Sequence, residues 1–288
     1  MIDLLTAPFV EFAFMRRALA GCVALSVGAA PVGVFLTLRR MSLMSEAMSH
    51  AILPGAAVGF LWAGLSLPAM TLGGLVAGLA VAMLSGLVAR STVLREDASL
   101  AAFYLISLAG GVLLISARGS SIDLLHILFG TVLALDDDAL VLLGGISTVT
   151  LIGLAVAYRP LVMECVDPLF LRSVGRASGP VHYAFLALVV LNLVGGFAAL
   201  GTLLAVGLML LPAITARFWA VDLSGLLPAS VVLALMASVA GLLVSYYASL
   251  PTGPAIVLAA GALYLASMLL GPRGGLVWRL IPARHLEA

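Results

Sequence analysis

The stretch ALAGCVALSVGAAPVGVFLTL, Ala18 to Leu38, runs twenty-one residues without a charge and is closed by Arg39-Arg40. At 1.5 Å rise per residue such a run is roughly 31 Å long, about the thickness of a bilayer's hydrocarbon core. The pattern recurs. Apolar runs near 45–66, 69–89, 98–117, 139–158, 182–199, 201–221, 226–248 and 254–271 are bounded by Arg, Gly, Pro and Asp clusters, which mark the ends of membrane spans. Unbroken runs of this length favour helices over barrel strands, which would alternate apolar and polar over about 10 residues. The reading is an all-α, polytopic membrane helix bundle of about nine transmembrane helices, forming one transmembrane domain over 1–288. The apolar stretch 124–135 is too short to cross and is read as a re-entrant or half-span helix.

Composition agrees. The chain is 63% hydrophobic and only 9% charged, far from the roughly 45–50% and about 25% of soluble domains. The first fifteen residues carry Asp3 and Glu11 and no basic leader, so no cleaved signal peptide is expected. Cys22 falls in the first run and Cys165 in a polar loop, with neither a disulfide framework nor metal-ligand spacing.

The basic residues are all Arg, and they set the orientation. With the 159–181 loop in the cytoplasm, Arg39, Arg40, Arg90, Arg95, Arg159, Arg172, Arg176, Arg217, Arg273, Arg279 and Arg284 lie inside, against Arg16, Arg17 and Arg118 outside. This predicts N-terminus out and C-terminus in, with the Arg16-Arg17 pair as the dissent. Glycines at Gly55-x-x-x-Gly59 and Gly74-x-x-x-Gly78 are expected to seat helices within the chain rather than to form a dimer seam.

The most informative segment for function is Ser45-Glu-Ala-Met-Ser-His-Ala-Ile-Leu-Pro-Gly55. Glu46 and His50 are one helical turn apart and share a face. His50 lies roughly 15 Å past the Arg pair, near mid-membrane, where an ionisable residue is by default functional. Pro54 lacks an N–H and leaves the carbonyl of His50 without its helical partner. A carboxylate, an imidazole and a freed carbonyl suit zinc, manganese or ferrous iron. Met41, Met44 and Met48 lead to the pair and read as packing.

Other segments carry weaker signals. Asp123 and His126, at i and i+3 before the half-span, are either a second metal pair or solvated turn residues. Asp136-Asp137-Asp138 makes either an acidic mouth that gathers cations or a helix cap. His182 and His285 are read as solvent-facing. The loop 159–180 mixes charges with apolar Leu161, Val162, Val166, Leu169, Phe170 and Leu171, which suits either a partner's groove or the inner leaflet. Without a Lys there is no phosphate-binding P-loop, so ATP-driven transport would need another chain to bind the nucleotide. No catalytic constellation appears, so no enzymatic activity, permanently bound cofactor or nucleic-acid partner is expected.

Arg39-Arg40-Met41-Ser42-Leu43 running into Ser45 to Gly55 resembles the permease subunits of the zinc and manganese branch of the ABC importers. The resemblance continues in Asp123-Leu124-Leu125-His126-Ile127-Leu128-Phe129-Gly130, in the Asp167-Pro168 loop ending Ser173-Val174-Gly175, in Gly201 to Arg217, and in Pro251-Thr252-Gly253. It implies a multi-pass protein of a prokaryotic inner membrane that moves a divalent metal ion (zinc, manganese or iron) as substrate. It also implies a homodimer of permeases embedded in membrane lipid, two cytoplasmic ABC ATPase subunits and an extracytoplasmic metal-binding protein. The 159–180 loop then becomes the coupling element, with Glu164, Asp167, Pro168, Phe170 and Gly175 as its residues. Two departures stand out: Glu46 where the family usually carries Asp, and Thr131 where it often carries Asn or Asp. The alternatives are a permease for a chelated or organic substrate, in which Glu46 and His50 are a structural pair, and a proton-coupled secondary transporter with His50 as relay.

Overall fold

The computed structural model describes residues 2–64, 66–93, 95–117, 132, 135–167 and 178–277, and side chains of 2–5, 90 and 115–117 are left aside. Ten α-helices account for nearly all of it, with no strand among the described residues. They are α1 Ile2–Glu11, α2 Ala13–Leu38, α3 Ser42–Ala63, α4 Leu67–Ser91, α5 Glu96–Ala117, α6 Asp137–Val166, α7 Ser178–Leu200, α8 Thr202–Ala216, α9 Leu223–Ala248 and α10 Thr252–Leu270. Each of the nine predicted spans falls on one of α2 to α10.

Seven of these helices are long and apolar enough to cross a membrane. The other two spans fall short for separate reasons. In α3, Glu46, His50 and three serines dilute an otherwise apolar 22-residue helix. The 15-residue α8 is shorter than a crossing needs, because the chain turns at 217–219 and not at 221 as predicted. Two further boundaries differ from expectation. Helix α6 runs through Pro160 to Val166, since a proline in a membrane helix is tolerated where neighbours satisfy the freed carbonyl. The connection expected in the cytoplasm is therefore 167–177, and Glu164 and Cys165 belong to the last turn of α6. The stretch 4–15 is not one span either: α1 is broken from α2 at Phe12, whose backbone is extended.

Helices α2 and α7 form the interior, largely buried along their lengths, whereas α5 is mostly exposed. Helices α3, α4 and α5 pack together on one side, with α4 and α3 touching α7; α8, α9 and α10 pack together on the other, around α2. Helix α6 closes against both α2 and α7. The main core runs through both sides, from Met48 and Ile52 on α3 to Leu208 and Met209 on α8 and Ile256 on α10.

Close approach between helices depends on glycine. A Cβ at Gly55 on α3 would fall on the backbone carbonyl of Gly73 on α4, and one at Gly73 would fall on that of Gly55. Gly59 meets Ala69, Gly74 meets Ile52, and Gly78 meets Val190. Both small-residue motifs thus seat helices inside the chain, as expected, and Met44 and Met48 are core residues.

The charges expected on the outer side are used locally. Arg16 donates to the carbonyls of Val10 and Phe9 at the end of α1, and Arg17 pairs with Asp137 at 3.1 Å. Asp136 caps α6, its carboxylate accepting from the N–H of Ala139 at 2.9 Å. The Asp triplet therefore follows its capping reading at Asp136, and the Arg16-Arg17 dissent has a physical origin in helix ends and an ion pair.

Candidate metal-transit site

Helix α3 starts just after a tight joint. Arg40 adopts the left-handed conformation (φ 58°), and the N–H of Met41 reaches back to the carbonyl of Leu36 at 2.9 Å, which closes the end of α2 in the manner of a Schellman motif. Ser45 and Ser49 turn their hydroxyls back onto the carbonyls of Ser42 and Glu46. Their polar groups are thereby satisfied within α3, so Ser45 and Ser49 can be buried while Glu46 and His50 occupy the open face.

Glu46 Oε1 lies 3.3 Å from His50 Nε2, as the i, i+4 spacing requires, with side chains 60% and 33% exposed. Two donor atoms at that separation, each about 2.1 Å from one ion, would subtend about 104° at it, between octahedral and tetrahedral angles. The pair can share one cation. Among the described residues no group of three or more His, Cys, Asp and Glu comes together, and Glu46 and His50 are the two of them that meet there. The face they occupy is not covered by the described residues.

Helix α5 backs the site, and sequence reasoning passed over its contribution. The Tyr104 ring lies 6.4 Å from that of His50 and is tilted by 31°, and the Ser107 hydroxyl donates to the carbonyl of Ala51 at 3.2 Å. Two polar residues at i and i+3 in the run 98–117 were the available signal. Gly111, one turn further, admits Pro54: a Cβ there would meet the proline ring at 2.8 Å.

Asp123, His126, Thr131, Pro168, Phe170 and Gly175, like His285, lie outside the described residues, as does most of the 124–135 stretch. Asp167 follows α6 as its C-cap, its N–H bonded to Met163. Glu164 is buried on α6 and accepts from Ser178 at 3.1 Å. His182 corrects the expectation: it is 3% exposed, with Nδ1 2.6 Å from Arg39 and Nε2 2.7 Å from Glu96. It sits in the first turn of α7, and the charges that meet it come from distant parts of the chain.

Comparison with known proteins agrees with this architecture. A manganese import system permease protein, ScaB of Streptococcus parasanguinis, is 33% identical over 263 residues, 91% of this chain and 92% of its own length. A chelated iron transport system membrane protein, YfeD of Yersinia pestis, is 28% identical over 269 residues, covering 93% of this chain and 89% of its own. The solved structure of PsaBC from Streptococcus pneumoniae in complex with Fab superposes with a TM-score of 0.84 at 31% identity, covering 97% of this chain and all of that one. Residues 11–271 match the ABC 3 transport family, and the chain belongs to that family, as an ABC transporter permease that crosses the bacterial inner membrane several times.

Proposed function

We propose that this chain is the permease subunit of an ATP-driven importer of manganese, the ion passing between Glu46 and His50. The observation that carries the reading is the pairing of a carboxylate and an imidazole at 3.3 Å on a face of α3 that the described residues leave open. Manganese is placed first because of the similarity to manganese import permeases. Oxygen donors with one imidazole suit that ion, and zinc and iron accept the same donors.

The two donors found among the described residues are too few to hold a six-coordinate ion. A second copy facing the first across α3 and α5 would supply another Glu46 and His50, so a homodimer fits the half-open site. Incomplete coordination also suits transit, because a site that must release its ion should bind it only moderately. The 167–177 connection is the surface for the ATPase subunits, with Asp167, Pro168, Phe170 and Gly175 upon it and Glu164 anchoring it from α6. An extracytoplasmic binding protein delivers the ion to the other end.

The test is uptake of labelled manganese by vesicles holding the complete transporter. His50→Ala and Glu46→Gln should each abolish uptake while the permease still assembles with its ATPase. Normal transport by both variants would reject the site. Phe170→Ala should weaken ATPase association and leave metal binding by the purified permease unchanged.

A further inference from the structure

Titratable groups from four helices, with Glu164 and His182 buried, Arg39 nearly so and Glu96 partly exposed, converge at the end of the bundle that carries the 167–177 connection. Arg39, at the C-cap of α2, places Nη2 2.6 Å from His182 Nδ1 on α7 and 3.8 Å from Glu164 Oε1 on α6. Its guanidinium carbon lies 5.1 Å from the centre of the Phe185 ring, one turn beyond His182. His182 Nε2 is 2.7 Å from Glu96 Oε1 in the first turn of α5. Ser178, the first residue of α7, donates to Glu164 Oε1 at 3.1 Å. Arg39 carries only donors, so His182 Nδ1 accepts from it, while Nε2 faces Glu96. The result is a continuous chain of carboxylate, imidazole, guanidinium and carboxylate.

Glu96 at an N-terminus and Arg39 at a C-terminus suit their helix ends, whereas Glu164, in the last turn of α6, does not and depends on Arg39 and Ser178 instead. Stability alone is a weak reason to bury such a group, since apolar side chains of similar volume generally do as well. Location supplies a better reason. Glu164 and Ser178 are the two feet of the connection, tied to each other and, through Glu164, to Arg39. Arg39 is three residues before α3, across the joint that Arg40 and Met41 hold tight. The path from the connection to the helix bearing Glu46 and His50 thus contains no slack segment.

We propose that Arg39, Glu164 and His182 are positioning residues that carry movement of the 167–177 connection into α3. The proposal rests on the import reading for the source of that movement. Physical continuity becomes coupling only if breaking one link changes the far end.

The experiment uses Glu164→Gln, which keeps shape and removes charge, in the purified permease and in the complete transporter. In the permease alone, amide hydrogen exchange over 39–45 should rise at least fivefold, although the substitution is more than a hundred residues away in sequence. In vesicles, manganese ions imported per ATP hydrolysed should fall at least tenfold, with manganese binding unchanged. A cluster that only stabilises the fold would lower the melting temperature and leave the ions-per-ATP ratio alone, and that outcome overturns the proposal. Should Glu164→Gln fail to fold, Ser178→Ala removes a single hydrogen bond and is judged by the same two readouts, with no change in either counting against the idea. If the wild-type transporter moves no manganese, the import reading fails on its own, and exchange over 39–45 still decides the linkage: wild-type protection there in the variant overturns it.

Discussion

The hydroxyl of Ser107 on α5 is bonded to the carbonyl of Ala51 on α3, the residue directly after His50. With Tyr104 one turn away facing the imidazole, α5 holds the segment of α3 that Pro54 has loosened. Ser107→Ala is expected to cost about 1 kcal/mol, the net worth of one such bond, visible as a lower melting temperature in detergent. Tyr104→Phe should keep manganese uptake near wild type, because the ring and not the hydroxyl meets His50. Tyr104→Ala should raise the KM for uptake several-fold as His50 gains freedom.

Glu46→Asp probes the reach of the carboxylate. Shortening the side chain by one methylene draws its oxygens back toward the helix, away from the 3.3 Å contact with His50. Uptake should persist, with the preference among manganese, zinc and iron altered in competition assays. Complete loss of uptake would show that the site is built around the longer side chain.

The Gly55–Gly73 approach predicts a contrast within one residue type. Gly55→Ala puts a methyl onto a carbonyl that cannot move aside without parting α3 from α4, and overpacking of this kind costs about 1–3 kcal/mol. Gly110→Ala and Gly144→Ala meet nothing within 4 Å and should be neutral or stabilising by up to about 1 kcal/mol, since alanine is the better helix former. Thermal melts of the three variants in the same detergent compare them directly.

Orientation can be read by labelling. In a background lacking Cys22 and Cys165, a cysteine at the exposed Val93, between α4 and α5, should react only from the cytoplasmic side. One at the exposed Leu250, between α9 and α10, should react only from outside. Reversed labelling would invert the topology.

The spans were legible because apolar run length is a local property and the bilayer sets its scale. Glu46 and His50 were legible for the same reason, four residues apart on one helix. Pro160 misled, because whether a proline ends a helix depends on neighbours that a single segment does not reveal. His182 misled more deeply. Its partners Arg39 and Glu96 lie 143 and 86 residues away, and each looks like an ordinary helix-end charge until the helix ends are gathered at one level. Tyr104 and Ser107 had a signal, two polar groups at helical spacing, but their meaning depended on which helix lay opposite.

Gly201 alone separates α7 from α8, in a backbone region (φ 96°, ψ 156°) that is nearly glycine's own. Its N–H is bonded to the carbonyls of Gly196 and Phe197, and the Cβ of Ala205 fits into the space that Gly196 leaves free. A one-residue elbow fastened in this way should resist hinging, so α7 and α8 are expected to move as a single bent lever. Any tilt imposed on α7 near His182 must return down α8 to Arg217, and rearrangement of this bundle should proceed by sliding of packed helices rather than by opening between these two.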